Sequence, residues 1–379
     1  MKLIRCRPTP IAWSLLRRGS ALAIRSCASE RVLSAALLLV ALGTCGAPSR
    51  AETEGKPTKP VPQRPASDDP AAVLATRTIE RLALGDAFDA KLRQRTWVGG
   101  REVVGIGRYE QSGEGSGRLS LEMTIHDGDS RHELRQISDG KLAWFRAEVG
   151  DLVTLRRIDV GRVKELHHEF TRSTDPAAVF PTTITEPLDR NKGVSPWMRI
   201  GGLIELIDQI AQDFDLRVTR GKIDDEPVLI LRGTINEQAK RRTLKSDAAR
   251  DWPDLHPYEV RVAIAAVGDE TGFGVGLPLR IEFWSEPSRE PPAPGPAEVP
   301  ATPVSSSEPP AAKAVGTNEK PTGRLISLLE IYSIRKIRPS PEQRFRFERE
   351  ERDVTFSNDT SLYLERLEKS LGVRIEDKR

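Results

Sequence analysis

The sequence predicts an α+β fold in which an antiparallel sheet with one apolar face lies beneath helices. Over residues 117–127, Leu119, Leu121, Met123 and Ile125 alternate with Arg118, Ser120, Glu122, Thr124 and His126, the period of two expected of a half-buried strand. The neighbouring segments are set off by the Gly- and Ser-rich residues 112–117 and by Asp127-Gly128 and Asp139-Gly140, dipeptides that accept the left-handed backbone of tight hairpins. Residues 196–214 carry Ile200, Leu203, Ile204, Leu206, Ile207, Ile210 and Phe214, an apolar helical face too broad to stay uncovered.

In chain order, residues 1–51 read as a signal peptide. Arg5, Arg7, Arg17, Arg18, Arg25 and Arg31 precede the apolar run 32–42, and Ser49 and Ala51 offer the small residues of a cleavage site. Two alternatives stand beside it: a retained membrane anchor, and lipoprotein processing at Cys45 after Leu42-Gly43-Thr44. All three place the body in the periplasm or otherwise outside the cytoplasm, and for a cleaved signal peptide peripheral membrane association or none is expected. Cys6, Cys27 and Cys45 all fall in this segment, so the mature body has no thiol for a disulfide, a metal or covalent catalysis. The formal charge of +3 also owes much to it. Without its eight Lys/Arg and one Glu, 50 basic residues face 54 acidic ones, which argues against nucleic acid as a partner.

Residues 52–69, with Pro57, Pro60, Pro62 and Pro65, read as a disordered tether. A single domain over 70–372 follows, opening on a helix with Asp69 as N-cap, Pro70 at the first position, and Val73, Ile79 and Leu82 marking its apolar side. Strands are expected over 88–98, 102–111, 117–127, 131–137, 141–145 and 152–158, then a helix over 160–170. After an irregular passage containing Pro176, Pro181 and Pro187, Ser195-Pro196 starts the apolar helix. Strands return over 216–222, 228–235, 258–267, 279–284 and 324–337, with a loop or exposed helix at 236–245. Residues 287–322 are a disordered proline-rich insertion between two strands of one sheet, since loop closure costs grow only slowly with length. Residues 373–379 are a tail.

The motifs that could carry chemistry do not assemble. His167-His168-Glu169 lacks metal-ligand spacing, because adjacent helical residues point about 100° apart. His126-Asp127-Gly128-Asp129 with His132 gathers ligands, yet Asp-Gly is what a hairpin turn requires. Gly272, Gly274 and Gly276 lead into a strand and not into a helix N-terminus, and Ser116 sits in G-E-G-S-G, not in a nucleophile elbow. The chain is therefore read as non-enzymatic, with no metal and no cofactor. Alternation alone leaves open whether the apolar face encloses a solid core or a covered groove.

A short opening helix, strands over 88–98, 103–111 and 119–127, the turn Gln136-Ile137-Ser138-Asp139-Gly140, Trp144, Ile158-Asp159-Val160, Gly201-Gly202-Leu203 opening a helix, and a closing strand and helix over 359–371 resemble the LolA/LolB-like proteins of the outer-membrane lipoprotein-sorting superfamily, in their planctomycete-type version. The resemblance covers roughly residues 70–286 and 323–372. It implies a strongly curved, unclosed antiparallel half-barrel whose concave apolar face, covered by helices, holds acyl chains. Leu119, Leu121, Met123 and Ile125 are then expected to line the cavity with Leu279, Ile281 and Phe283, while Ile200, Leu203, Ile204, Ile207 and Ile210 close it. No position matches the family's lid-gating arginine, and the proline-rich insertion departs from the pattern. The function so implied is an exported lipid- or lipoprotein-binding carrier or sensor, monomeric, with acyl chains and an envelope protein as partners. The alternatives are an envelope structural or interaction module with a dry core and, after it, a secreted hydrolase.

Overall fold

The computed structural model describes residues 69–128, 130–174, 193–244, 252–287, 323–349 and 356–371. Apart from Asp69 and Pro287, the expected signal peptide, tether, insertion and tail lie outside these residues.

Two meanders, one late strand and a short edge strand make a single twelve-stranded sheet. The first meander comprises β1 (Phe88–Val98), β2 (Arg101–Gln111), β3 (Arg118–His126), β4 (Arg131–Asp139), β5 (Leu142–Val149) and β6 (Leu152–Asp159). The second comprises β7 (Phe214–Ile223), β8 (Glu226–Ile235), β9 (Glu259–Ala265) and β10 (Pro278–Trp284). Within each, every strand pairs antiparallel with the next in sequence, as the hairpin dipeptides require. β11 (Leu325–Lys336) joins them by pairing with β1 on one side and β10 on the other. The strands flanking the proline-rich insertion are thus neighbours, and Ser285 and Arg324 exchange hydrogen bonds across its base, from the Ser285 N–H at 2.8 Å and the Arg324 N–H at 2.9 Å. A two-residue strand, β12 (Ser357–Asn358), adds to β6 in parallel, so the order runs β12-β6-β5-β4-β3-β2-β1-β11-β10-β9-β8-β7 and the sheet does not close.

Five α-helices accompany the sheet among the described residues: α1 (Pro70–Leu84), α2 (Val160–Thr174), α3 (Gly202–Asp213), α4 (Glu237–Leu244) and α5 (Thr360–Leu371). Asp69 caps α1 as expected, its Oδ1 accepting from the Ala71 N–H at 3.0 Å. Its inner face, however, is Ala71, Ala75, Thr78, Ile79, Leu82 and Ala83, while Val73 is 37% exposed, because two residues along a helix turn about 200° away from Ala71.

The sheet is strongly curved, and α3 gives the measure of it. β3 and β7 are seven strand steps apart, about 34 Å in a flat sheet, yet α3, about 18 Å long, touches both. The sheet curls around the helix. Gly107, in the middle of β2 opposite Met123, assists the bending: a Cβ there would stand 2.3 Å from the Glu122 carbonyl oxygen, so only glycine permits this approach of β2 to β3. One apolar cluster joins α1 and α3 to the concave side of the sheet, and a small second cluster of Val228, Ile230 and Ala263 lies on the other face of β8 and β9.

After β11 the chain crosses the outer face. Arg344 bonds Glu110 at 2.8 Å, Glu342 pairs with Arg118, and Phe347 stacks on Trp144 with ring centroids 5.0 Å apart. Glu110, Arg118 and Trp144 all alternate with concave-facing neighbours, which puts this strap on the convex side. It rounds the β6 edge through β12, and α5 then packs on α2 and β6. No helix among the described residues is long and apolar enough to cross a membrane.

Candidate functional site

The concave layer is built around the start of α3. The expected continuous helix from Pro196 is instead a 3-10 turn, Pro196–Arg199, followed by a break at Ile200 and Gly201 and then α3. The break has a backbone cause: Gly201 and Gly202 lie at φ +85° and +62°, the left-handed region that glycine enters freely. A Cβ on Gly202 would meet the Tyr109 ring and hydroxyl at 2.9 Å and Leu119 at 3.2 Å.

The first N–H groups of a helix lack intrahelical partners, and here side chains supply them. The Gly201 N–H donates to Glu205 Oε2 at 2.8 Å, the Gly202 N–H to Gln136 Oε1 of β4 at 3.0 Å, and the Leu203 N–H to the Tyr109 hydroxyl of β2. The Tyr109 hydroxyl in turn donates to Gln111, and its complete burial pushes the phenol well above its ordinary range. Glu205, itself buried, ties α3 to α5: its Oε1 accepts from the Tyr363 hydroxyl at 2.8 Å and from Arg366 at 3.1 Å. Burial, with the Glu205 carboxylate beside it, raises the Tyr363 phenol well above the usual value. On the other flank Lys164 of α2 lies 4.5 Å from the Trp197 ring centroid in the 3-10 turn.

Of the twelve residues expected to line the layer, eleven are buried: Leu119, Leu121, Met123 and Ile125 on β3, Ile281 and Phe283 on β10, Ile200 in the break, and Leu203, Ile204, Ile207 and Ile210 on α3. All but Leu119 belong to the main apolar cluster, and Leu119 lies beneath Gly201 and Gly202. Leu279 is a correction. The pairing of β10 with β9 slips between Pro278 and Arg280, and the extra residue turns Leu279 to the second cluster on the convex face.

Sequence reasoning also missed a polar patch on this side. In β1 the apolar series Phe88, Ala90, Leu92 continues as Gln94 and Thr96 at the same parity, and both are buried with Ser327 of β11. Thr96 pairs with Val103 across the sheet, and Ser327 with Phe283, both members of the main cluster. The continuation of an apolar face by Gln and Thr was the available signal.

Two of the remaining motifs have structural roles. His132 Nε2 bonds Asp127 Oδ2 at 3.0 Å and its Nδ1 accepts from the Gly150 N–H at 3.3 Å, which clasps two hairpin turns together; Asp129 lies outside the described residues. Asp269 Oδ1 gathers the Thr271 N–H and hydroxyl and the Phe273 N–H, ordering the turn that contains Gly272, Gly274 and Gly276. The Thr271 bonds hold the Asp269 carboxyl below its usual range.

An open, curved sheet, antiparallel but for its last edge strand, with helices seated on its concave face defines the class, which is the half-barrel expected from the sequence. No family model matches the chain, and no curated protein does. Solved structures similar to it include the Pseudomonas aeruginosa MucA/MucB complex (13% identity, TM-score 0.30, covering 73% of this chain and 61% of that one). Others are a LolA superfamily protein from Nitrosomonas europaea (12%, TM-score 0.24, 73% and 97%) and an outer membrane lipoprotein-sorting protein domain from Vibrio parahaemolyticus (9%, TM-score 0.26, 74% and 94%). The chain thus spans about three fifths of the MucB-containing chain. At this level of likeness no residue role carries over.

Proposed function

We propose that the protein is an exported, non-enzymatic carrier or sensor of lipid or lipoprotein acyl chains in the cell envelope. The observation that supports it is the placement of a helix with a fully buried apolar face, Leu203, Ile204, Leu206, Ile207 and Ile210, inside the curl of an unclosed sheet. A chain held between α3 and β3 would be met by Met123, Ile125, Ile204 and Ile207 on opposite sides, gaining about 0.8 kcal/mol for each methylene removed from water. The N-terminal segment supplies export, with the body periplasmic and monomeric.

A second reading is an envelope interaction module whose layer is filled by its own side chains. The near-complete burial of Leu203, Ile204 and Ile207 favours it. Mass spectrometry of an organic extract of the purified protein, together with displacement of a fluorescent fatty acid, separates the two. The carrier co-purifies with lipid or binds the probe, and Met123→Asp abolishes uptake. A folded wild type that yields no lipid and binds no probe would leave the interaction module.

A further inference from the structure

Gln94, Thr96 and Ser327 form a polar island within the apolar concave face. Gln94 Nε2 donates to Thr96 Oγ1 at 3.3 Å and to Ser327 Oγ at 3.4 Å, and the two hydroxyls lie 3.2 Å from each other. All three residues are almost fully buried, Gln94 with 2% of its surface exposed. The donors and acceptors do not balance. Gln94 Oε1 finds no partner among the described residues. Of the two hydroxyls, one donates to the other, and the second still has its proton to offer. An unmet buried acceptor is costly, and native proteins rarely leave one. The surroundings offer little help: Gly105, directly across β2 from Gln94, has no side chain, and Val103, Phe283 and Leu329 are apolar.

We infer that this island is the seat for the polar head of the acyl ligand, and that the head is a neutral group able to donate and accept at once, such as a hydroxyl. This rests on the acyl-chain reading above. The ligand O–H would donate to Gln94 Oε1, and its oxygen would accept the spare proton of Thr96 or Ser327, closing the imbalance with two hydrogen bonds. A carboxylate can only accept, so it would leave Gln94 Oε1 unmet. The flanking apolar residues would take the start of the chain, so the island sets which end of the ligand enters.

The test compares hexadecanol with hexadecyl methyl ether, which keeps the chain and the oxygen but has no proton to give, each displacing a fluorescent fatty acid from the full mature protein. Wild type should hold the alcohol about tenfold more tightly than the ether. Gln94→Met, similar in volume, should erase that preference. Equal binding of the two by wild type overturns the seat and leaves the acyl-chain reading standing, whereas a wild type that binds neither overturns both. A preference that survives in a folded Gln94→Met protein removes Gln94 from the role. Should that variant not fold, Thr96→Val combined with Ser327→Ala removes the proton that the oxygen of either ligand would accept, so alcohol and ether should both bind more weakly while the preference stays, and unchanged binding of both overturns the proposal.

Discussion

Single residues at the start of α3 control how the helix sits on the sheet. Gly202→Ala would force a side chain into left-handed backbone and against Tyr109, a strain plus overpacking cost of about 2–4 kcal/mol; urea denaturation should show the loss with an unchanged m-value. Tyr109 adds a dependence on pH. Its phenol is raised by burial in the folded state but ionises near the ordinary value of about 10 when unfolded, so the unfolded chain gives up its proton first. Its contribution is therefore complete below pH about 10 and is lost as pH rises further, and Tyr109→Phe should flatten that alkaline decline. The acid side has the opposite sign. Burial depresses His167, with His168 adding to it, and burial alone depresses His256. Both favour the folded state above the unfolded histidine value of about 6.5, and that stability is lost as pH falls through the folded values. Thermal melts between pH 8 and 5 should show a decline beginning near 6.5 that His167→Gln partly removes.

At the scale of elements, the strap along the convex face offers an optical readout. Trp144 is stacked on Phe347 and edge-on to Phe356, so a chain ending after Arg338 should expose the indole and red-shift its emission. It should also free Glu205 from Tyr363 and Arg366, at a cost of about 1–3 kcal/mol. Strands were the most legible elements, because period-two alternation and Asp-Gly turns are local properties. Residues 117–127 were read to within a residue or so of β3. The rest depended on information that no local window carries. The slip that turns Leu279 outward arises from the fit of β10 to β9. The polar island required a side chain in β1 to be set beside one in β11, more than two hundred residues away.

For the whole molecule, the proline-rich insertion spans a gap that the sheet has already closed. Deleting residues 291–319 leaves nine residues between Ser285 and Arg324, ample for a hairpin loop, and shortening the loop lowers its closure cost by about 1 kcal/mol. The melting temperature should stay the same or rise slightly, and a large fall would reveal an ordered element there. β11 has a different consequence, one that concerns time and not stability. Both meanders can form from neighbouring segments, but until β11 arrives each keeps a long open edge, β1 in one and β10 in the other, and such edges invite pairing with other chains. The strand that seals them is made more than two hundred residues after β1, which makes its docking the slow, high-contact-order step of folding. A chain released or exported before residue 336 has emerged would present two adhesive halves, so its route to the native state is expected to depend on a holding chaperone until that one strand is delivered.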